Sequence, residues 1–142
     1  MSASLVPVVI VAAVLVLLLT GFVLSRMVLA NNAKRGRQAL PPAGPRDVEE
    51  VAVGLTWPHK AHGLLRLTPA ELLFANGSTG AVLTIARTSI VACVASEDVP
   101  TGSGMQTLRR AALVLQIDDP TLPQGIAFLV GDPVAWVQRL RR

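Results

Sequence analysis

"GLLRLTPAELLFANG", residues 63–77, reads as two short strands joined by a tight turn. Successive side chains of a strand point to opposite faces, so Leu65 and Leu67 share one face, and Leu64, Arg66 and Thr68 the other. Thr68-Pro69-Ala70-Glu71 fits a type I turn, with proline at its second position pre-setting φ. A second strand, Glu71 to Ala75, follows. Asn76-Gly77 then opens "NGSTG", a hairpin signal because Asn and Gly tolerate positive φ.

Outward from this stretch the pattern repeats. "GAVLTIA" (80–86) alternates, and 90–95 is a further apolar run containing Cys93. After "VPTGSGMQT", read as a loop over 99–110, come Ala112 to Asp118 and, past Pro120 and Pro123, Ile126 to Val130. Leu113, Leu115 and Ile117 share a face of the first, and Ile126, Phe128 and Val130 a face of the second. Upstream, Val51 to Trp57 makes a candidate extra strand. Short strands with turn signals every few residues predict a mostly antiparallel sheet, a barrel or a sandwich.

The last element breaks this rhythm. "GDPVAWVQRLRR" places Asp132 as helix N-cap and Pro133 at the first helical position. Trp136, Val137 and Leu140 recur at helical spacing, while Arg139, Arg141 and Arg142 fall where positive charge complements the helix dipole. So short a helix needs a surface to pack on, and Trp136 is expected to plug one end of the sheet.

The other end of the chain is of a different kind. Residues 1–25 carry no charged side chain, and Leu5 to Leu24 are almost all Val, Leu, Ala and Ile. Twenty helical residues span roughly 30 Å, the hydrocarbon thickness of a bilayer. Pro7 sits in the first turn, where its missing N–H costs nothing. A cleaved signal peptide would show a positive n-region, a shorter apolar core and a small-x-small site. None of these is present, so residues 1–30, with core 5–24, are expected to be an uncleaved transmembrane helix. Arg26, Lys34, Arg35, Arg37 and Arg46 all follow it and no Lys or Arg precedes it. The positive-inside rule therefore predicts the N-terminus outside and the remainder in the cytoplasm, a single pass through the cell membrane. Residues 31–50, "NNAKRGRQALPPAGPRDVEE", hold Pro41, Pro42 and Pro45 and are expected to be an extended basic linker. Residues 51–142 then make the one folded domain that the length allows.

Six or seven antiparallel strands closed by one C-terminal helix resemble the pleckstrin-homology-like (PH-like) fold. Gly63-Leu64-Leu65-Arg66-Leu67-Thr68 with Leu72-Leu73-Phe74 is similar to the opening hairpin of GRAM and bacterial PH-like domains. Ile85-Ala86-Arg87-Thr88-Ser89-Ile90 resembles the step those families place between their third and fourth strands, and Trp136 and Leu140 match the closing helix. A single span ahead of such a domain resembles small actinobacterial membrane proteins. The resemblance implies a PH-like barrel of about seven strands over 51–142, and a role in recognition rather than catalysis.

No residue pattern points to catalysis or to a cofactor. His59 and His62 supply two metal ligands where a site needs a third. Cys93 lies in an apolar run without a basic partner, which keeps a thiol protonated. Asp118-Asp119-Pro120 reads as a solvated turn. "GSTG" lacks the lysine of a phosphate loop, and no nucleophile elbow is present. The net charge of +4 is shared between the two halves of the chain, so nothing points to nucleic acid. Anionic headgroups remain as a target, with Lys34, Arg35, Arg37, Lys60, Arg66 and Arg87 as candidate contacts. The turn Thr68–Glu71, however, has no Lys or Arg where the resemblance would place them.

The apolar span predicts a membrane anchor, and the resemblance, beside the missing catalytic set, implies a non-enzymatic interaction module that binds a protein partner and makes weak contact with anionic lipid. The hairpin 76–80 and the loop 99–110 are its candidate surfaces. The alternatives are an accessory subunit contacting a larger membrane protein through its helix, and a small membrane-tethered enzyme.

Overall fold

A computed structural model describes residues 5–56 and 60–142. The chain divides into a unit ending at Asn31 and a second unit, Asn32–Arg142. Helix α1, Leu5–Ala39, is long and apolar enough to cross a membrane. From Leu5 to Leu29 its large apolar side chains are exposed. Water penalises such a surface by about 25 cal/mol per Å².

The second unit is a seven-stranded antiparallel sheet curled into a half-barrel, with a C-terminal helix. Its strands are β1 Val48–Gly54, β2 Ala61–Leu67, β3 Glu71–Asn76, β4 Val82–Ala86, β5 Ile90–Thr101, β6 Gly104–Ile117 and β7 Gly125–Leu129, followed by helix α2, Pro133–Arg141. The order across the sheet is β4-β3-β2-β1-β7-β6-β5, which leaves β4 and β5 as its two edges. The residues on its inner face form one core: Leu65 and Leu67 from β2, Phe74 from β3, Leu113, Leu115 and Ile117 from β6, Ile126 and Phe128 from β7, and Trp136 and Val137 from α2. The alternations read from the sequence for β2, β6 and β7 are the ones that build it. Asp132 caps α2 by accepting from the Ala135 amide at 3.0 Å, and Trp136 is fully buried.

The outer face is not left to water either. Leu64, Leu73 and Ala75 of β2 and β3 pack with Leu40 in a second small cluster, and Leu55, Val99, Ala112 and Ala127 form a third. This changes the expected linker. The segment 31–50 is helical to Ala39 and reaches β1 at Val48, because Asn32, Ala33, Gly36 and Leu40 form a stripe turned inward from solvent. Gly36 permits the close approach: a Cβ there would lie 3.0 Å from the Leu64 Cβ. At Gly77 a Cβ would meet the Asn32 Cβ at 2.6 Å. The helix ends where Pro41 and Pro42 follow, since a residue preceding proline is pushed out of the α region.

Three more expectations shift. The first strand is Val48–Gly54 instead of Val51–Trp57, and Trp57 and His59 lie outside the described residues. The expected loop 99–110 is mostly strand, because β5 and β6 extend into one long hairpin turning at 102–103. Val99 is fully buried there, the Thr107 hydroxyl donates to Asp98 at 2.7 Å, and Gly104 takes up the positive φ of +120°. In the 76–80 hairpin the positive φ falls on Gly80, at +73°, instead of on Asn76 or Gly77. Asn76 uses its side-chain oxygen to accept from the Ser78 and Thr79 amides.

Candidate functional site

The antiparallel register brings the start of β1, the end of β2, the start of β3 and the end of β4 to one end of the sheet. Val48 lies opposite Leu67, Leu67 opposite Leu72, and Glu71 opposite Ala86. The last turn of α2 reaches the same end. Between them is a cleft of about 480 Å³ lined by Arg46, Val48, Leu67, Thr68, Pro69, Arg87, Arg139 and Arg142. Four of these eight residues are arginines, from three separate parts of the chain, and none is acidic.

Each arginine is placed by a local cause. Arg46 lies in the turn that ends the Pro-rich stretch; its neighbour Asp47 accepts from the Gly44 amide at 2.8 Å. Arg87 begins the 3-10 turn Arg87–Ser89 after β4. Its Nη2 donates to the Arg139 and Leu140 carbonyls, each at 3.2 Å, satisfying carbonyls that a helix end leaves without partners. The Arg139 guanidinium stands 5.6 Å over the Trp136 ring, a cation–π contact. The Thr68 hydroxyl is engaged in its own turn, accepting from the Glu71 amide at 3.0 Å. The described ion pairs, Arg37–Glu49 and Arg66–Glu49, both lie outside the cleft. Arginine stays protonated at every physiological pH, so the cleft gathers four guanidinium charges with no acidic side chain among its lining. Its planar donor forks match phosphate and carboxylate oxygens.

Of the six basic residues singled out from the sequence, only Arg87 lines this cleft. Lys34 and Arg35 are exposed on the last turns of α1, and Lys60 is exposed just before β2, at the other end of the sheet. Arg37 is exposed and pairs with Glu49 at 3.3 Å. Arg66 is not a surface contact at all: it is 2% exposed, its Nε donates to Glu49 at 2.7 Å, and its Nη1 donates to the Pro41 carbonyl. The helical cover over β2 and β3 buries a position that strand alternation alone would leave in solvent. Arg46, Arg139 and Arg142 were missed because nothing local marks them. Arg46 reads as part of a spacer, and Arg139 and Arg142 as complements to a helix dipole. The turn Thr68–Glu71 does lack cations, but distant segments bring them to it.

The other polar residues take structural places. No group of three His, Cys, Asp or Glu residues that would hold a metal is found among the described residues, and His62 is exposed on β2. Cys93 is buried, with its Sγ 3.9 Å from the Val137 carbonyl. Asp119 sits in an exposed turn, where its Oδ1 accepts from the Thr121 hydroxyl at 2.7 Å and the Thr121 amide at 2.9 Å. The hydroxyl bond first, and the amide bond second, hold its carboxyl below the ordinary aspartate value. Because the folded value is the lower one, the stabilisation is full above the unfolded value and is lost as pH falls through the folded value. Thr121→Ala is therefore expected to raise the Asp119 midpoint in a carboxyl-carbon NMR titration. An unchanged midpoint would show that the hydroxyl bond is not formed in solution.

Compared with protein-family models, with curated proteins and with solved structures, the chain matches none.

Proposed function

We propose that this chain is a single-pass membrane protein, anchored through residues 5–24, that presents a PH-like interaction module in the cytoplasm. Support for the anchor comes from the length and apolarity of α1, and for the orientation from Arg26, Lys34, Arg35 and Arg37 on its C-terminal side. Support for the PH-like assignment comes from seven antiparallel strands followed by a helix whose tryptophan enters the core. The non-enzymatic reading rests on the sequence, which holds no recognised catalytic pattern. The observation that carries a binding role is the cleft: Arg46, Arg87, Arg139 and Arg142 converge with no acidic residue in its lining. Like charges gathered in one place repel, and an anionic partner relieves that repulsion.

The full chain, solubilised from membranes in detergent, is compared with an Arg46→Ala/Arg142→Ala variant for co-purifying proteins. A partner retained by the wild type and lost by the variant is the expected result. A partner kept by the variant, but lost when residues 5–24 are replaced by an unrelated apolar helix, would overturn the module reading in favour of an accessory subunit.

A further inference from the structure

We propose that the free edge of β4 docks an extended, uncharged segment of a partner protein, which adds to the sheet as a further strand. This rests on the reading of the domain as an interaction module and names a second surface of it, apart from the cleft.

A sheet edge presents a row of backbone N–H and C=O groups, a template that another extended chain can pair. The two edges here, β4 and β5, are unequally protected. β5 is interrupted by register shifts between Ile90 and Ala92 and between Ser96 and Asp98, carries exposed Glu97 and Asp98, and has Pro100 near its end. Arg141 of α2 also donates from Nη2 to the Cys93 carbonyl of β5 at 3.4 Å. Bulges, charges, proline and a covering helix are the devices that keep a neighbouring strand away. In β4 the sequence Val82-Leu83-Thr84-Ile85-Ala86 holds no charge and no proline, and its pairing to β3 runs without a shift.

The phase of that pairing shows which groups face outward. In an antiparallel pair, residues bonded to the partner strand alternate with residues whose N–H and C=O point away from it. The Asn76 amide donates to the Ala81 carbonyl at 2.8 Å and the Arg87 amide to the Ala70 carbonyl at 2.9 Å, one at each end of the β3–β4 register. Ala81, Leu83, Ile85 and Arg87 therefore bond toward β3, and the backbone groups of Val82 and Thr84 point outward. Both residues are exposed. The five residues of β4 give an edge roughly 16 Å long at about 3.3 Å per residue.

Side chains set the chemistry of the occupant. On the inner side Ile85 is buried and Leu83 is half-buried against the main core, so alternate residues of an added strand meet apolar surface. On the outer side they meet Val82, Thr84 and Ala86, where β-branched residues make favourable cross-strand pairs. A charged segment would find no countercharge along the strand. No acidic residue lies between Gly77 and Ser96, and the one cation in that stretch, Arg87, already donates to the Arg139 and Leu140 carbonyls. The fitting occupant alternates aliphatic residues inward with threonine-like residues outward.

The full chain in phosphatidylcholine nanodiscs is titrated into a fluorescently labelled peptide, Gly-Val-Thr-Val-Thr-Val-Gly with both ends capped, and followed by anisotropy. Saturable binding with a Kd of about 100 µM or tighter is expected. Thr84→Pro removes an outward N–H and leaves the bonds to β3, a change that edge strands tolerate, and should weaken binding about tenfold or more. Thr84→Ala keeps that N–H and should bind like the wild type. Two further peptides, N-methylated at the valines or at the threonines, keep the test decisive even where Thr84→Pro lowers the circular dichroism melt. An added strand turns only one set of its N–H groups toward β4, so one methylated peptide should lose binding and the other retain it. No saturable binding, equal binding by a folded Thr84→Pro chain, or equal loss with both methylated peptides overturns the proposal. A wild type that is dimeric in detergent where Thr84→Pro is monomeric also overturns it, by giving the edge to a second copy of the chain. If peptide binding fails while Arg46→Ala/Arg142→Ala still loses a co-purifying protein, the module reading stands and only the β4 assignment is wrong.

Discussion

Glu49→Gln is expected to lower the unfolding free energy of the second unit by about 3 kcal/mol, at the lower end of the cost of breaking a buried ion pair. Arg66 is the reason. Its side chain is 3% exposed, and its Nε and Nη2 lie 2.7 and 2.6 Å from the same Glu49 oxygen. Arginine does not deprotonate to escape burial, so removing the carboxylate charge leaves an uncompensated cation under the helical cover. Glu49 itself is 19% exposed, which lets water relieve part of that penalty and sets the figure low in the range. The same carboxylate holds Arg37, but that partner is 64% exposed, so Arg37→Ala should cost no more than about 1 kcal/mol. Replacing both buried partners, Glu49→Leu with Arg66→Met, should recover most of the loss, because two apolar side chains carry no desolvation penalty. Urea unfolding followed by circular dichroism measures all three. A Glu49→Gln change below about 1 kcal/mol would mean that Arg66 reaches water in solution.

Trp136→Ala is expected to cost about 3–5 kcal/mol, the range for truncating a buried aromatic side chain. The ring is fully buried in the main core, and its Nε1 donates to Glu50 at 2.5 Å. The other oxygen of Glu50 accepts from the Gly131 amide, also at 2.5 Å. Glu50 thus ties β1 to both the entry and the body of α2. Truncation opens a cavity and removes one partner of a carboxylate at once. Trp136→Phe restores most of the volume but not the donor, and should cost about 1–3 kcal/mol, the penalty for a polar group left unsatisfied. If urea unfolding shows the two variants equally destabilised, the cavity matters less than the lost donor and Glu50 governs the contact.

Legibility differed between elements for identifiable reasons. Leu113, Leu115 and Ile117 alternate without interruption, and the core accepts them as read. Val48 and Ala52 also face that core, but Glu50 lies between them, and its acidic side chain hides the period of β1. Nothing near Glu50 indicates that a tryptophan N–H eighty-six positions later will satisfy it. The hairpin extension at 99–110 was obscured by Thr, Gly and Ser, which carry a loop signature wherever they cluster. The cleft was the least legible feature, since its cations are far apart in sequence and each has a sufficient local explanation.

Local chemistry alone was enough to establish the apolar helix, most of the strands, the 68–71 turn and the capped C-terminal helix. In each of these, the signal and the structure it dictates lie within a few residues of one another. Tertiary structure decided what covers the outer face of β2 and β3, why Arg66 is buried, and that Arg46, Arg87, Arg139 and Arg142 meet. Those outcomes depend on strand register and helix docking, which join residues that no local spacing connects.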